Sequence, residues 1–218
     1  MNCGIINYML KKILKENCKY LIVLFLMMVF FFVLNKINSF EIFKEIDSYV
    51  SNLIKSTLGL KYNKLFNFTS DFLGIYTLIF IIVCMLFGFK NKIYVILLSS
   101  GYIFTMLFST VSKVLISRAR PLIEVTATID PYSFPSGHTL ISFVSYYFIA
   151  YLMSVNLDKK RKIAYYLIAT ILVITVAFSR LYLGVHYFTD VMGAILFGTV
   201  ILSMLINIVE KNFKRKLL

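Results

Sequence analysis

The chain has 218 residues, of which 60% are hydrophobic and 15% are charged, with only nine glycines and three prolines. This composition excludes an ordinary soluble domain and indicates an integral membrane protein. The formal net charge of +13 would also suit a nucleic-acid-binding protein. The placement of the charges argues against that class, so we expect a lipid bilayer and no nucleic acid as partners.

Continuous apolar runs predict six transmembrane helices, because each run is long enough to cross a hydrocarbon core of about 30 Å. Basic residues precede the first run as in a secretory signal, but no small-residue cleavage pattern follows, so we predict an uncleaved span. The sequence therefore predicts an all-α, polytopic helical bundle that forms a single domain over residues 1–218. The six runs occupy residues 20–37, 72–89, 93–112, 138–157, 163–179 and 187–209.

Residues 39–60 lie between the first two runs and differ from both. Apolar side chains recur there at helical spacing among charged ones such as Glu45 and Asp47. We predict an amphipathic helix on the outer surface of the bundle. Two roles are open for it: a packing brace, which we favour, or a guide for the substrate.

The distribution of basic residues predicts the topology of the spans. If the first 19 residues are cytoplasmic, fourteen of the 23 Lys and Arg lie inside, but only three of the ten acids do. This is the distribution that the positive-inside rule describes, so we expect both termini in the cytoplasm. Four unusual polar residues then share the extracellular or periplasmic face: Lys113, His138, Arg180 and His186.

A first polar cluster lies at the end of the third run. Lys113 is followed seven residues later by Arg120 and then by Pro121. Because the residue before a proline avoids the helical conformation, we predict that the helix ends near Ala119, with Arg120 in the loop. Lys113 alone would be interpreted as snorkelling toward lipid headgroups, and Arg118 is the better candidate for that behaviour.

A second cluster, Pro135-Ser136-Gly137-His138, directly precedes the fourth apolar run. We therefore expect it at the amino end of a helix. Free backbone N–H groups and the positive end of the helix dipole favour anions there. Glycine permits close approach, and the serine hydroxyl either caps the helix or donates to the anion.

A third cluster joins the fifth run to the sixth: Ser179-Arg180, then His186, then Asp190. If the start of the sixth helix includes His186, its ring and the carboxylate of Asp190 share one face. The carboxylate would then fix the imidazole tautomer and leave the other ring nitrogen free to attack. Gly184 is expected to form the tight turn between the two helices. On its own, this pair would be interpreted as a proton relay or as a buried structural hydrogen bond.

Together the three clusters resemble the three-part signature of the type 2 phosphatidic acid phosphatase family. The pattern is Lys, six residues, Arg-Pro; then Pro-Ser-Gly-His; then Ser-Arg, five residues, His, three residues, Asp. Every position is filled between residues 113 and 190, the motif core. The family includes lipid phosphatases, polyprenyl diphosphate phosphatases and, with the same site, vanadium haloperoxidases. The resemblance implies a metal-independent membrane phosphatase.

The resemblance also implies roles for the motif residues. His186 would attack phosphorus and form a phosphohistidine, Asp190 would orient it, and His138 would protonate the leaving oxygen and then activate water. Neither a cofactor nor a metal is expected, since fixed cations offset the phosphate charge and no acidic cluster has ligand spacing. The residues implied to bind the substrate phosphate are Lys113, Arg120, Ser136, Gly137 and Arg180.

Several residues and functions stay open at this stage. Glu124 and Asp130 either orient a neighbouring arginine or are solvated loop acids, which we favour. Undecaprenyl diphosphate, phosphatidylglycerol phosphate and phosphatidic acid all have a phosphate headgroup and a tail for the bilayer. Transfer of the phosphoryl group to an acceptor, as in a lipid phosphotransferase, would use the same residues. A proton-coupled transporter is disfavoured because the charged residues lie at the ends of the spans.

Overall fold

The protein is built from helices. The computed structural model describes residues 3–37, 39–59, 61–76, 79, 81, 83, 92–121 and 131–213. In these ranges the extended backbone forms an isolated antiparallel bridge between Ala119 and Tyr132, and no strand is present. The expectation of an all-α protein is confirmed.

Seven α-helices and two shorter helices follow one another along the described part of the chain. They are α1 (Cys3–Lys36), a 3₁₀-helix (Ser39–Phe43), α2 (Lys44–Leu58), α3 (Asn63–Asp71), a π-helical turn (Phe72–Tyr76), α4 (Ile93–Ile116), α5 (Gly137–Ser154), α6 (Lys159–Tyr182) and α7 (Phe188–Asn212).

Four of these helices are long and apolar enough to cross a membrane: α1 over Lys11–Lys36, α4, α6 and α7. Helix α5 coincides with the fourth predicted span but is only 18 residues long, with Ser142 and Ser145 among its apolar side chains. Most of the predicted span at 72–89 lies outside the described residues. The count of six spans therefore stays a prediction.

Helix α5 lies at the centre of the bundle and packs against α4, α6 and α7. Leu140, Val144, Phe148 and Leu152 recur every four residues along it, and each is at most 1% exposed. This spacing gives one continuous apolar stripe, which α7 covers with buried side chains such as Phe197. The packing fixes the amino end of α5 between the ends of α4 and α7.

The carboxyl end of α4 differs from its prediction. The helix ends at Ile116, three residues before the predicted Ala119, because Ser117 adopts a left-handed conformation (φ 50°) and donates its N–H to the Lys113 carbonyl. The next residues pair with the chain before α5, where the Ser133 N–H donates to the Arg118 carbonyl at 2.8 Å. Lys113 thus lies in the last helical turn and Arg120 beyond it, as expected.

Helix α2 occupies most of the segment for which a surface helix is predicted. Asp47 and Ile54 are buried on its inner side, whereas Ile46, Tyr49 and Leu53 are about half exposed or more. The helix contacts α6 and α7, so it packs over one end of the bundle. Its position on a membrane surface stays a prediction.

The packing of α7 against the chain before α5 gives a test of the fold. A methyl group added to Gly193 would lie 2.3 Å from the Phe134 ring, which is fully buried. Gly193→Ala is expected to destabilise the protein by about 1–3 kcal/mol through overpacking. At this chain length each kcal/mol lowers the thermal midpoint by about 2–4 °C, which is measurable in detergent. Adding Phe134→Leu should recover part of the loss, and an unchanged midpoint in the single variant would contradict this packing.

Candidate active site

The site lies where the end of α4, the start of α5, the end of α6 and the start of α7 meet. Two hydrogen bonds join the motif segments. The Ser136 N–H donates to the Asp190 carbonyl at 3.2 Å, and Arg120 Nη1 donates to the Val185 carbonyl at 2.9 Å. The three sequence clusters therefore come together at one end of the bundle.

The second cluster begins α5, as its sequence predicts. Ser136 is the N-cap residue with extended backbone, and its hydroxyl lies 3.0 Å from the hydroxyl of Thr139. A Cβ atom on Gly137 would lie 3.2 Å from Ser109 Oγ and 3.9 Å from Lys113 Nζ. Glycine at this position therefore lets the Lys113 side chain approach the helix start closely.

His186 and Asp190 are neighbours, as expected, but the condition that both belong to one helix is not met. Helix α7 starts at Phe188 with Tyr187 as its N-cap, so His186 lies just before the helix. Gly184 makes the preceding turn with φ 62°, as expected. His186 Nδ1 still faces Asp190 Oδ2 at 3.5 Å, which is longer than an ordinary hydrogen bond.

The Asp190 carboxylate is fully buried and accepts two shorter hydrogen bonds. One comes from the Tyr187 N–H at 2.9 Å, which caps α7, and the other comes from Arg118 Nη1 at 2.6 Å. The prediction that Arg118 snorkels is therefore wrong. The Arg118 side chain is 9% exposed and turns inward over the Tyr187 ring, 4.2 Å from the ring centre, because Asp190 supplies a buried counter-charge.

Asp47 of α2 completes this buried ionic cluster. Its Oδ2 accepts from Arg118 Nη2 at 2.9 Å, and its Oδ1 accepts from the Thr189 N–H at 2.9 Å. The residue is only 5% exposed. Sequence reasoning missed this contact, because the amphipathic pattern places the charged residues of α2 in solvent and Asp47 lies 71 residues from Arg118.

Helix α3 supplies two further polar residues that the sequence motifs do not include. Ser70 Oγ accepts from Arg180 Nη1 at 2.9 Å, and Asp71 Oδ1 lies 3.4 Å from His138 Nε2. Gly74, in the π-helical turn, packs against the His138 ring. No local sequence signal marks these residues, since their partners lie in distant motifs.

Three buried polar atoms of the site have no hydrogen-bond partner among the described residues: Arg180 Nε, His138 Nε2 and His186 Nδ1. Buried polar atoms of this kind are costly unless a ligand or water satisfies them. His138 also interacts electrostatically with Arg180, His186, Lys113 and Arg120. The predicted catalytic and phosphate-binding residues thus surround one polar site.

Burial lowers the pKa of the His186 imidazole to about 4, although the neighbouring Asp190 carboxylate acts in the opposite direction. The positive charges of Arg180 and Arg120 lower it further. The ring is therefore neutral at physiological pH, which leaves a nitrogen lone pair available.

Glu124 and Asp130 lie outside the described residues. Within the described ranges, no three His, Cys, Asp or Glu side chains group as ligands for a metal ion.

The fold and the site together define a helical membrane protein with a cationic, histidine-containing centre at one end of its bundle. The sequence model of the PAP2 superfamily matches residues 93–214, which include all three clusters and more than half of the chain. The chain belongs to the PAP2 superfamily, which confirms the resemblance to type 2 phosphatidic acid phosphatases.

Two curated proteins are similar to part of the chain. Phosphatidylglycerophosphatase B of Bacillus subtilis (strain 168) is 36% identical over 111 residues, which are 50% of this chain and 54% of that protein. Lipid phosphate phosphatase delta of Arabidopsis thaliana is 34% identical over 100 residues, 42% of this chain and 24% of that protein. The matches thus span about half and about a quarter of the relatives' lengths.

A crystal structure extends the likeness to most of the fold. It is described as that of the first transmembrane PAP2 type phosphatidylglycerolphosphate phosphatase from Bacillus subtilis. The TM-score is 0.73 at 25% identity, over 87% of this chain and 96% of that one. With the four apolar helices, this likeness identifies a multi-pass membrane protein.

The lowered pKa of His186 makes a prediction for stability. An unfolded histidine titrates near 6.5, so between pH 6.5 and about 4 the unfolded chain binds a proton that the folded chain does not. His186 therefore reduces stability as the pH falls through that window, by on the order of 3 kcal/mol in total. His186→Asn is expected to gain stability relative to the parent as the pH falls from 7 toward 4, measured as thermal midpoints in detergent.

Parallel midpoint curves for the parent and the variant would contradict the lowered pKa. His186→Gln provides a second uncharged side chain, which separates loss of the titrating group from a packing defect of one substitution.

Proposed function

We propose that this protein is a metal-independent membrane lipid phosphatase that acts through a phosphohistidine on His186. The observation that carries the proposal is the position of a buried, neutral His186 beside Asp190. In the same site, Arg180 Nε and His138 Nε2 have no hydrogen-bond partner among the residues that the structure describes. A phosphate group would satisfy such donors, and its charge would complement the surrounding cations. The family membership and the phosphatase names of the relatives support this class of reaction.

In the proposed first step, His186 Nε2 attacks phosphorus, because Nδ1 is the nitrogen that faces Asp190. The N–P bond forms as the bond from phosphorus to the leaving oxygen breaks. The negative charge of the bound phosphate favours the protonated form of His138. Protonated His138 gives its proton to the leaving oxygen, so the lipid leaves as a neutral alcohol. The phosphorylated imidazole gains positive charge, which the Asp190 carboxylate stabilises.

In the second step, the now neutral His138 accepts a proton from water as the water oxygen attacks phosphorus. The N–P bond breaks, inorganic phosphate leaves, and both histidines return to their starting states. Phosphoryl transfer of this kind depends mainly on positioning and charge stabilisation. Lys113, Arg120 and Arg180, with the Ser136 hydroxyl and the Gly137 N–H, are assigned to hold the phosphoryl oxygens.

We infer a lipid substrate presented from the outer leaflet. The positive-inside distribution supports cytoplasmic termini, and this orientation puts the four motif-bearing helix ends on the extracellular or periplasmic face. A site at the end of a bundle suits a phosphate headgroup whose tail stays in the bilayer. The six-span count and the surface position of α2 belong to the same proposal.

The covalent intermediate gives the decisive prediction. With an aryl phosphate, whose leaving group needs no protonation, His138→Ala is expected to complete the first step and stall before the second. An acid-labile, base-stable phosphohistidine should then accumulate in that variant and be absent from His186→Ala. Phosphate release by the parent should persist in a chelator, whereas His186→Ala should lose about a thousandfold or more.

Loss of the parent's activity in the chelator would contradict the metal-independent mechanism. If His186→Ala turned over substrate as fast as the parent, His186 would not be the nucleophile. Circular dichroism and thermal midpoints of both variants serve as folding controls.

Among lipid substrates we expect phosphatidylglycerol phosphate to give the highest kcat/KM, since the name of one relative and the description of the crystal structure both specify that phosphatase activity. The comparison uses phosphatidylglycerol phosphate, phosphatidic acid and undecaprenyl diphosphate in the same mixed micelles, with His186→Ala as the background. A higher kcat/KM for either other lipid would overturn the assignment of the substrate but not of the reaction.

A further inference from the structure

We propose that Asp47 of helix α2 is a positioning residue for the reaction, acting on His186 through Arg118 and Asp190. This inference rests on the proposed phosphohistidine mechanism and adds to it a residue outside the three sequence clusters. Helix α2 would then be a functional part of the active site rather than a packing brace.

The first argument is the burial of Asp47. The charged side chains of α2 are Lys44, Glu45, Asp47 and Lys55. Of these four charged residues only Asp47 is buried, and the other three are exposed. A carboxylate is rarely removed from water unless it is paired and hydrogen-bonded, so its partners determine its role.

The second argument is the geometry of those partners. Asp47 Oδ2 lies 2.9 Å from Arg118 Nη2, while Asp190 Oδ1 lies 2.6 Å from Arg118 Nη1. One guanidinium thus bridges two carboxylates from different helices. Asp47 Oδ1 also accepts the Thr189 N–H at 2.9 Å, in the first turn of the helix that carries Asp190. Asp47 therefore holds Arg118 in place. It also holds the start of α7, which follows His186 along the chain.

The third argument concerns charge. Arg118, Asp47 and Asp190 together carry a net charge of −1, and Asp190 Oδ2 faces the His186 ring. That excess charge stabilises the positive ring of the phosphorylated His186, with little screening because the cluster is buried. Without the charge of Asp47, Arg118 and Asp190 neutralise each other, and the developing positive charge on His186 loses its counter-charge.

The test compares Asp47→Asn with Glu45→Gln, which removes an exposed acid from the same helix. The rate of single-turnover phosphorylation of His186 is measured with an aryl phosphate. This rate is divided by the amount of protein that can be phosphorylated, so that unfolded protein does not lower it. Asp47→Asn is expected to slow phosphorylation and kcat by about 10- to 100-fold, with KM changed by less than about twofold. Glu45→Gln is expected to match the parent.

A second substitution at the same position separates charge from packing. Asp47→Glu keeps the negative charge but lengthens the side chain, whereas Asp47→Asn keeps the size and loses the charge. We expect Asp47→Glu to be phosphorylated faster than Asp47→Asn. If Asp47 only docked α2, the variant of unchanged size, Asp47→Asn, would be phosphorylated at least as fast as Asp47→Glu.

Each failure identifies the hypothesis that is wrong. Parental phosphorylation rates in Asp47→Asn, or a rate in Asp47→Glu no higher than in Asp47→Asn, would overturn the positioning role and leave the proposed phosphatase intact. A parent protein that forms no phosphohistidine would overturn both.

Discussion

The buried ion pair between Arg118 and Asp190 is the contact on which the geometry of the site depends. Its arginine follows α4 and its carboxylate belongs to the first turn of α7, so the pair joins two ends of the bundle. Removing one member of a buried pair leaves an unpaired charge, at a cost of about 3–5 kcal/mol. That penalty opposes any separation of the helix ends, and the segment with His186 is held in place as a result.

Backbone interactions connect the remaining motif segments to this pair. The Asp190 carbonyl receives the Ser136 N–H at the start of α5, and the Val185 carbonyl receives Arg120. Arg180 is held separately by Ser70 of α3. The cations are therefore fixed before a substrate arrives, and preorganised charge of this kind is an effective form of stabilisation for a phosphoryl group in transfer.

The sequence predicts the parts of this structure that follow from local rules. Apolar periodicity predicts α4 to α7, and the turn at Gly184 follows from its position between two apolar runs. Prediction from the sequence fails where the partner of a side chain lies far along the chain. The sequence predicts that Arg118 reaches lipid headgroups, because nothing near it in sequence indicates a buried counter-charge. The early end of α4 has the same origin, since the pairing of residues 118 and 119 with 132 and 133 replaces the last helical turn.

The site residues also divide into those that sequence patterns predict and those that depend on distant partners. The spacing of the three clusters brings His138, His186 and Asp190 to one end of the bundle, as the topology predicts. Asp47, Ser70 and Asp71 reach that site from α2 and α3, whose sequences carry no motif. Their contribution depends on tertiary packing, which single-sequence patterns do not encode.

The central position of α5 has a consequence for how such a protein enters a membrane. Its neighbours shield it from lipid, so selection for apolar side chains is relaxed there and serines are tolerated. A helix of this kind partitions into a bilayer weakly by itself and is retained by its neighbours. Insertion of such a helix is then cooperative with assembly of its bundle, and scans of hydropathy alone will undercount the spans of any protein with a shielded helix.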